Sequence, residues 1–165
     1  MVSWKARLHL LLKKYFDHTS VSFFGQFNQD STLSSYPDDN THFSPDIEQS
    51  LRLFKEYLGF IIPNPGEVAR YLRQNNRLYD AVLYACMLTE EEFANTAQIT
   101  LEVYFDPEID DEYLTLCIRQ SHYDEDIMDK IDRICSQYEP DLDSCKGWFV
   151  VTTDFLTPTE ELIGV

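Results

Sequence analysis

The feature that most constrains this chain is a change of hydrophobic period near residue 98. Before it, apolar residues recur about every 3.6 positions, the period of a helix. After it, "QITLEVYF" (98–105) and "EYLTLCIR" (112–119) alternate apolar and polar residues, the period of a strand with one face buried. Ile99, Leu101, Val103 and Phe105 share one face of the first segment, and Leu114, Leu116 and Ile118 share one face of the second. A one-residue slip would turn one of these faces to water, so the pairing register is fixed in parity. Antiparallel pairing with Val103 opposite Leu114, Leu101 opposite Leu116 and Ile99 opposite Ile118 satisfies both faces. The opposite surface then pairs Tyr104 with Tyr113 and Glu102 with Thr115, leaving Asp106–Asp111, "DPEIDD", as the hairpin loop.

The segments before the hairpin read as helices. Residues 2–16 carry Trp4, Leu8, Leu11, Leu12 and Tyr15 at helical spacing, beside Lys5, Arg7, Lys13 and Lys14. This basic amphipathic stripe is expected to pack on the protein's own body. Residues 17–43 are rich in Ser, Thr, Asn, Asp and Pro and read as a long polar loop or linker. Ser44, Pro45 and Asp46 form a helix start, with Ile47, Leu51, Phe54 and Leu58 as its stripe and Gly59 as its stop. Asn64, Pro65 and Glu67 start another helix, carried by Val68, Tyr71 and Leu72. Asn75 and Asn76 interrupt it, and a further helix follows from about Leu78 to Phe93, with Val82, Ala85 and Cys86 inward.

After the hairpin, Ile127, Ile131 and Ile134 mark a helix, and "WFVVTTDF" (148–155) a third strand. The expected fold is therefore α+β: N-terminal helices, then a β-β-α-β unit forming a small antiparallel sheet. A right-handed crossover that sets the third strand beside the first predicts the order 2-1-3, with helices packed on one face. The predicted organisation is an N-terminal helix and linker over 1–43, one α+β domain over 44–156, and a tail over 157–165.

Charge narrows the function. The net charge is −16, and residues 96–165 hold 17 Asp/Glu against 4 Lys/Arg. A field of that sign repels nucleic-acid phosphate and attracts basic proteins and cations. Direct nucleic-acid binding is accordingly disfavoured. The apolar runs are far shorter than the roughly 18 residues that a membrane span needs, and the N-terminus lacks the apolar core of a signal peptide, so a cytoplasmic protein is expected. The four cysteines, Cys86, Cys117, Cys135 and Cys145, show no C-x-x-C spacing, and the first three are expected to behave as small core residues.

No catalytic motif is present in the sequence. Asp106, Glu108 and Asp110 stand at positions 1, 3 and 5 of a calcium-loop pattern, but Asp111 and Cys117 fall where the pattern needs glycine and glutamate. The five glycines form no phosphate loop. Cys117 and His122 are near each other in sequence, with no third group to orient them. "DLD" at 141–143 lacks the upstream Gly-Ser pair of nucleotidyl transfer and reads as a loop.

The preferred reading is thus a non-catalytic, acidic interaction protein that docks on a basic partner, in the manner of an antitoxin or a nucleic-acid mimic. Its candidate surface comprises Asp106, Glu108, Asp110, Asp111 and Glu112 in the hairpin and Asp124, Glu125 and Asp126 at the start of the next helix. No cofactor is needed for that role, and a homodimer is compatible with it. The alternative is a metal-dependent hydrolase in which Asp106, Glu108, Asp110 and Asp124 hold Mg²⁺ or Mn²⁺ to activate water, with loose Mg²⁺ or Ca²⁺ binding at Asp106, Glu108 and Asp110 as the corresponding cofactor alternative.

Overall fold

The computed structural model describes residues 46–142 and 145–159. The expected helix over 2–16, the linker over 17–43 and the Ser44–Pro45 helix start lie outside the described residues. Within them the elements run α1 (Ile47–Glu56), α2 (Pro65–Gln74), a 3-10 turn (Asn76–Leu78), α3 (Tyr79–Phe93), β1 (Gln98–Asp106), β2 (Asp111–Arg119), α4 (Ile127–Tyr138), a second 3-10 turn (Glu139–Asp141) and β3 (Phe149–Thr152).

Each helix boundary has a local cause. Gly59 adopts φ +70°, which residues with a Cβ avoid, and this turn lets the Phe60 N–H reach the Phe54 carbonyl at 2.9 Å. Asn64 stands at the N-cap of α2, where its carbonyl accepts the Glu67 and Val68 N–H groups at 3.1 and 3.2 Å while its side chain makes no cap bond, and Pro65 opens the first turn. Asn75 breaks the run between α2 and α3, and its Nδ2 donates back to the Tyr71 carbonyl at 3.0 Å. Leu51 and Phe54 are buried in α1, as the stripe predicts, and so are Ser50 and Leu53.

The α3 helix departs from an amphipathic pattern. Eleven of its fifteen residues are buried, so it is enclosed on nearly every side instead of presenting one stripe. Tyr79 and Tyr84 bring hydroxyls into this environment. Ser50 Oγ lies 2.8 Å from Tyr79 Oη, and Tyr84 Oη donates to Gln137 Oε1 of α4 at 3.0 Å. Ile127, Ile131, Ile134 and Tyr138 form the buried stripe of α4, which packs on α3 and β3.

The hairpin has the expected register. Ile99 faces Ile118, Leu101 faces Leu116, and Val103 faces Leu114. Leu101, Leu114, Leu116 and Ile118 are fully buried. The ladder extends one pair further than predicted, to Asp106 opposite Asp111, so the loop proper is Pro107–Asp110. Asp110 takes φ +51° there, a conformation that Asp tolerates better than most residues.

The strand order differs from expectation. The sheet runs β1-β2-β3 rather than 2-1-3, and β3 pairs in parallel with β2, which makes the sheet mixed rather than antiparallel. The physical reason lies at the outer edge of β1. Ile61 donates its N–H to the Ile99 carbonyl at 2.8 Å and accepts the Leu101 N–H at 2.9 Å. That edge is therefore already occupied, whereas the edge of β2 is open to β3. The α4 crossover then joins two adjacent parallel strands.

Candidate functional site

Two of the described helices pack on the sheet, α2 on β1 and α4 on β3, over the face that carries the buried Leu101, Leu114, Leu116 and Val151. The register fixes what the other face displays. From the hairpin tip downward, its successive rows are Asp106 and Asp111; Tyr104, Tyr113 and Trp148; Glu102, Thr115 and Val150; Thr100, Cys117 and Thr152; then Gln98 and Arg119. Trp148 belongs to the second row because Phe149 pairs with Leu114, which sets the preceding residue level with Tyr113.

A groove of about 770 Å³ runs over this face. Ile109 and Asp111 border it at the tip, Trp148 and Val150 along β3, and Thr153 and Asp154 at the base. Trp148 is 66% exposed and Tyr104 48% exposed, so the second row is an accessible aromatic surface. The Tyr104 and Tyr113 rings are 5.2 Å apart and inclined at 44°, a favourable cross-strand arrangement. Desolvation, and then the neighbouring Tyr104 and Asp106, push the Tyr113 phenol upward.

The base of the groove is closed by the chain after β3. Asp154 accepts from Arg119 Nε and Nη2, and Thr159 exchanges hydrogen bonds with Gln98, at 3.1 Å in each direction for the two backbone groups. The segment thus crosses from β3 past β2 to β1. Phe155 packs on Tyr123 with centroids 5.3 Å apart, and Tyr123 Oη donates to the Leu156 carbonyl at 2.6 Å. The Arg119 guanidinium holds the Asp154 carboxyl below its ordinary range.

Trp148 is set by its backbone as well as by register. Its N–H donates to Tyr71 Oη at 2.8 Å, while its carbonyl accepts from Tyr71 Oη and from Leu114 N–H at 2.9 and 3.0 Å. The approach is close enough that Gly147 has no room for a side chain: a Cβ there would lie 2.6 Å from Asn75 Cγ. Indole position therefore depends on a glycine and a tyrosine outside the sheet.

The predicted acidic residues fall into two separate groups. Asp106, Glu108, Asp110, Asp111 and Glu112 gather at the hairpin tip, while Asp124, Glu125 and Asp126 follow the far end of β2. The nine residues of β2 separate the groups by about 27 Å. Their electrostatic states differ too. Glu112 is held below its usual range by a two-point contact with Arg70, at 3.0 and 2.8 Å. Asp124 and Asp126 both contact Lys130, at 3.0 and 3.1 Å. Asp106 Oδ1 accepts the Glu108 N–H at 2.9 Å, which closes the turn from within.

Among the described residues, no group of three or more His, Cys, Asp or Glu side chains converges as a metal site would require. Burial pushes the Cys117 thiol upward, the reverse of what an activated nucleophile needs, and His122 is exposed beyond the strand. No described helix is long and apolar enough to cross a membrane.

Sequence reasoning pairs Tyr104 with Tyr113 but misses Trp148, Val150 and the Arg119–Asp154 contact. The available signal was the alternation in "WFVV", which puts Trp148 and Val150 on one face and Phe149 and Val151 on the other. Comparison of the chain with family models, curated proteins and solved structures returns no match.

Proposed function

We propose that this chain is a non-catalytic interaction protein that docks on a basic protein partner through the open face of its sheet. The observation that carries this reading is the accessible row of Tyr104, Tyr113 and Trp148, with carboxylates on both sides of it: Asp106 and Asp111 toward the tip, Glu102 toward the base. Interfaces are enriched in exposed aromatics that fill a partner's surface, and a carboxylate rim attracts and orients a cationic one. The excess of 17 acidic over 4 basic residues after position 95 extends that attraction to long range. Such a protein would neutralise a basic partner, as an antitoxin or a nucleic-acid mimic does. A reducing compartment such as the cytoplasm suits Cys86 and Cys117, which are buried thiols.

The test is capture from the source lysate, identification of the bound protein, and remeasurement with both proteins pure. The expected partner is basic, binds more weakly as salt rises, and is lost when Glu102, Glu108 and Asp111 become Gln, Gln and Asn. A partner retained equally by that variant, and indifferent to salt, would refute the proposal.

A further inference from the structure

The docking reading leaves open which chemical group the groove receives, and the layout of the open face narrows it. We infer that the aromatic row is a platform for an arginine side chain of the basic partner. This inference rests on the docking reading and deepens it.

The argument begins with spacing. Neighbouring strands lie about 4.8 Å apart, and same-face residues along a strand about 6.8 Å apart. Tyr104, Tyr113 and Trp148 therefore form a continuous shelf about 10 Å wide, with Asp106 and Asp111 one step away toward the tip and Glu102 one step away toward the base at its β1 end. A group resting on the rings is within reach of Asp111 on one side or Glu102 on the other. The group must then present a flat, weakly hydrated face to π-systems and also donate hydrogen bonds at its edge to a carboxylate.

Guanidinium meets both demands. It stacks on aromatic faces, and its fork of donors matches a carboxylate at two points. An ammonium satisfies the charge alone, because it is compact and strongly hydrated. A neutral apolar side chain would use the rings but leave the carboxylates without a role. Asp111 Oδ1 accepts the Glu112 N–H at 2.9 Å, which leaves Oδ2 to bind, and Glu102 shares the groove with Arg119, whose guanidinium is held by Asp154, whereas Glu112 is engaged by Arg70 on the helix side of the hairpin. The 66% exposure of Trp148 leaves its ring available for contact.

The experiment uses the full chain carrying Trp4→Phe, which leaves Trp148 as the sole tryptophan. Its probes are an Arg-Gly repeat peptide, the Lys-Gly counterpart, and a citrulline-Gly counterpart that keeps the shape of arginine without its charge. Binding is followed by Trp148 fluorescence and by calorimetry. The arginine peptide is expected to bind at least about threefold more tightly than the lysine peptide and to shift Trp148 emission. The citrulline peptide is expected not to bind. Trp148→Ala and Glu102→Gln are each expected to weaken the arginine peptide by about threefold or more while leaving the thermal midpoint unchanged, since both alter the open face.

Equal binding of the arginine and lysine peptides, with no effect of Trp148→Ala, would overturn the arginine platform yet leave a charge-driven docking surface standing. Failure of both peptides to bind even at low salt would remove the docking reading along with it.

Discussion

Ile61 pairs in parallel with Thr100 on the outer edge of β1. The bridge is only one residue long, but its two backbone hydrogen bonds, with Ile99 and Leu101, occupy the stretch of edge that a third strand would use. The third strand joins β2 instead, and that choice brings Trp148 level with Tyr113. A contact on one edge of the sheet thus helps decide which residues share the open face.

Replacing Ile61 with proline removes the N–H that donates to Ile99 and leaves a backbone carbonyl without its partner. The expected cost is about 1–3 kcal/mol in urea unfolding, the range for an orphaned buried acceptor. An unchanged midpoint and slope would show that the bridge does not stabilise the edge.

Leu101 and Leu116 face each other across the centre of the hairpin, and both are fully buried. Either leucine replaced by alanine is expected to lose about 2–5 kcal/mol, from lost transfer energy together with the cavity left behind. Losses below about 0.5 kcal/mol for both would contradict the register.

These two leucines also show which parts of the fold were legible in the sequence. Strict alternation leaves one parity of pairing, and the short loop that begins Asp-Pro then favours the register with Val103 opposite Leu114. Strand order does not follow from it. It depends on Ile61, which sits in "FIIPNP" and has no alternation to announce that it bridges a strand. The burial of Leu83, Tyr84 and Met87 is likewise invisible to helical periodicity, because a helix enclosed on nearly all sides has no polar stripe to set against its apolar one. The candidate site was half legible. Tyr104 and Tyr113 came with the register, while Trp148 could join them only after β3 was placed beside β2.

Gly147 offers a test of how Trp148 is held. A Cβ at this position would lie 2.6 Å from Asn75 Cγ and 2.8 Å from Tyr71 Oη. Tyr71 Oη is tied to the Trp148 backbone and Asn75 Nδ2 to the Tyr71 carbonyl, so neither is free to retreat without losing a bond. Gly147→Ala is expected to cost about 1–3 kcal/mol, as overpacking does, and Asn75→Ala in the same chain to recover part of it. Chemical denaturation of the two single variants and the double variant measures this coupling, and strict additivity would deny the clash.

The Arg119–Asp154 contact carries a pH signature. The folded state holds Asp154 below its ordinary 3.8, so the unfolded chain binds the proton more readily. The contribution is therefore fully present above about pH 4 and disappears as pH falls through the lower folded value. Arg119→Gln is expected to cost up to about 1 kcal/mol near neutrality, because the pair is partly exposed and screened. The difference from the parent should shrink as the solution is acidified toward about pH 3. A difference that stays constant over this range would assign the loss to packing of the Arg119 stem instead.

The hairpin tip separates a turn from a binding surface. Asp106 Oδ1 accepts the Glu108 N–H, while the Glu108 and Asp111 carboxylates add negative charge to a tip that also carries Asp110. Asp106→Ala is expected to cost about 0.5–2 kcal/mol, a cap-like loss from an exposed turn. Glu108→Gln with Asp111→Asn should instead leave stability unchanged or slightly raised, since exposed like charges contribute at most about 1 kcal/mol and here repel one another. The same pair of substitutions should slow association with a basic partner without altering the fold, because long-range attraction acts chiefly on the encounter rate. Thermal unfolding in Mg²⁺ or Ca²⁺ supplies the control. If these carboxylates serve docking alone, millimolar ion is expected to raise the midpoint of neither parent nor variant. A gain in the parent that the double substitution abolishes would favour the metal-dependent alternative built on Asp106, Glu108 and Asp110.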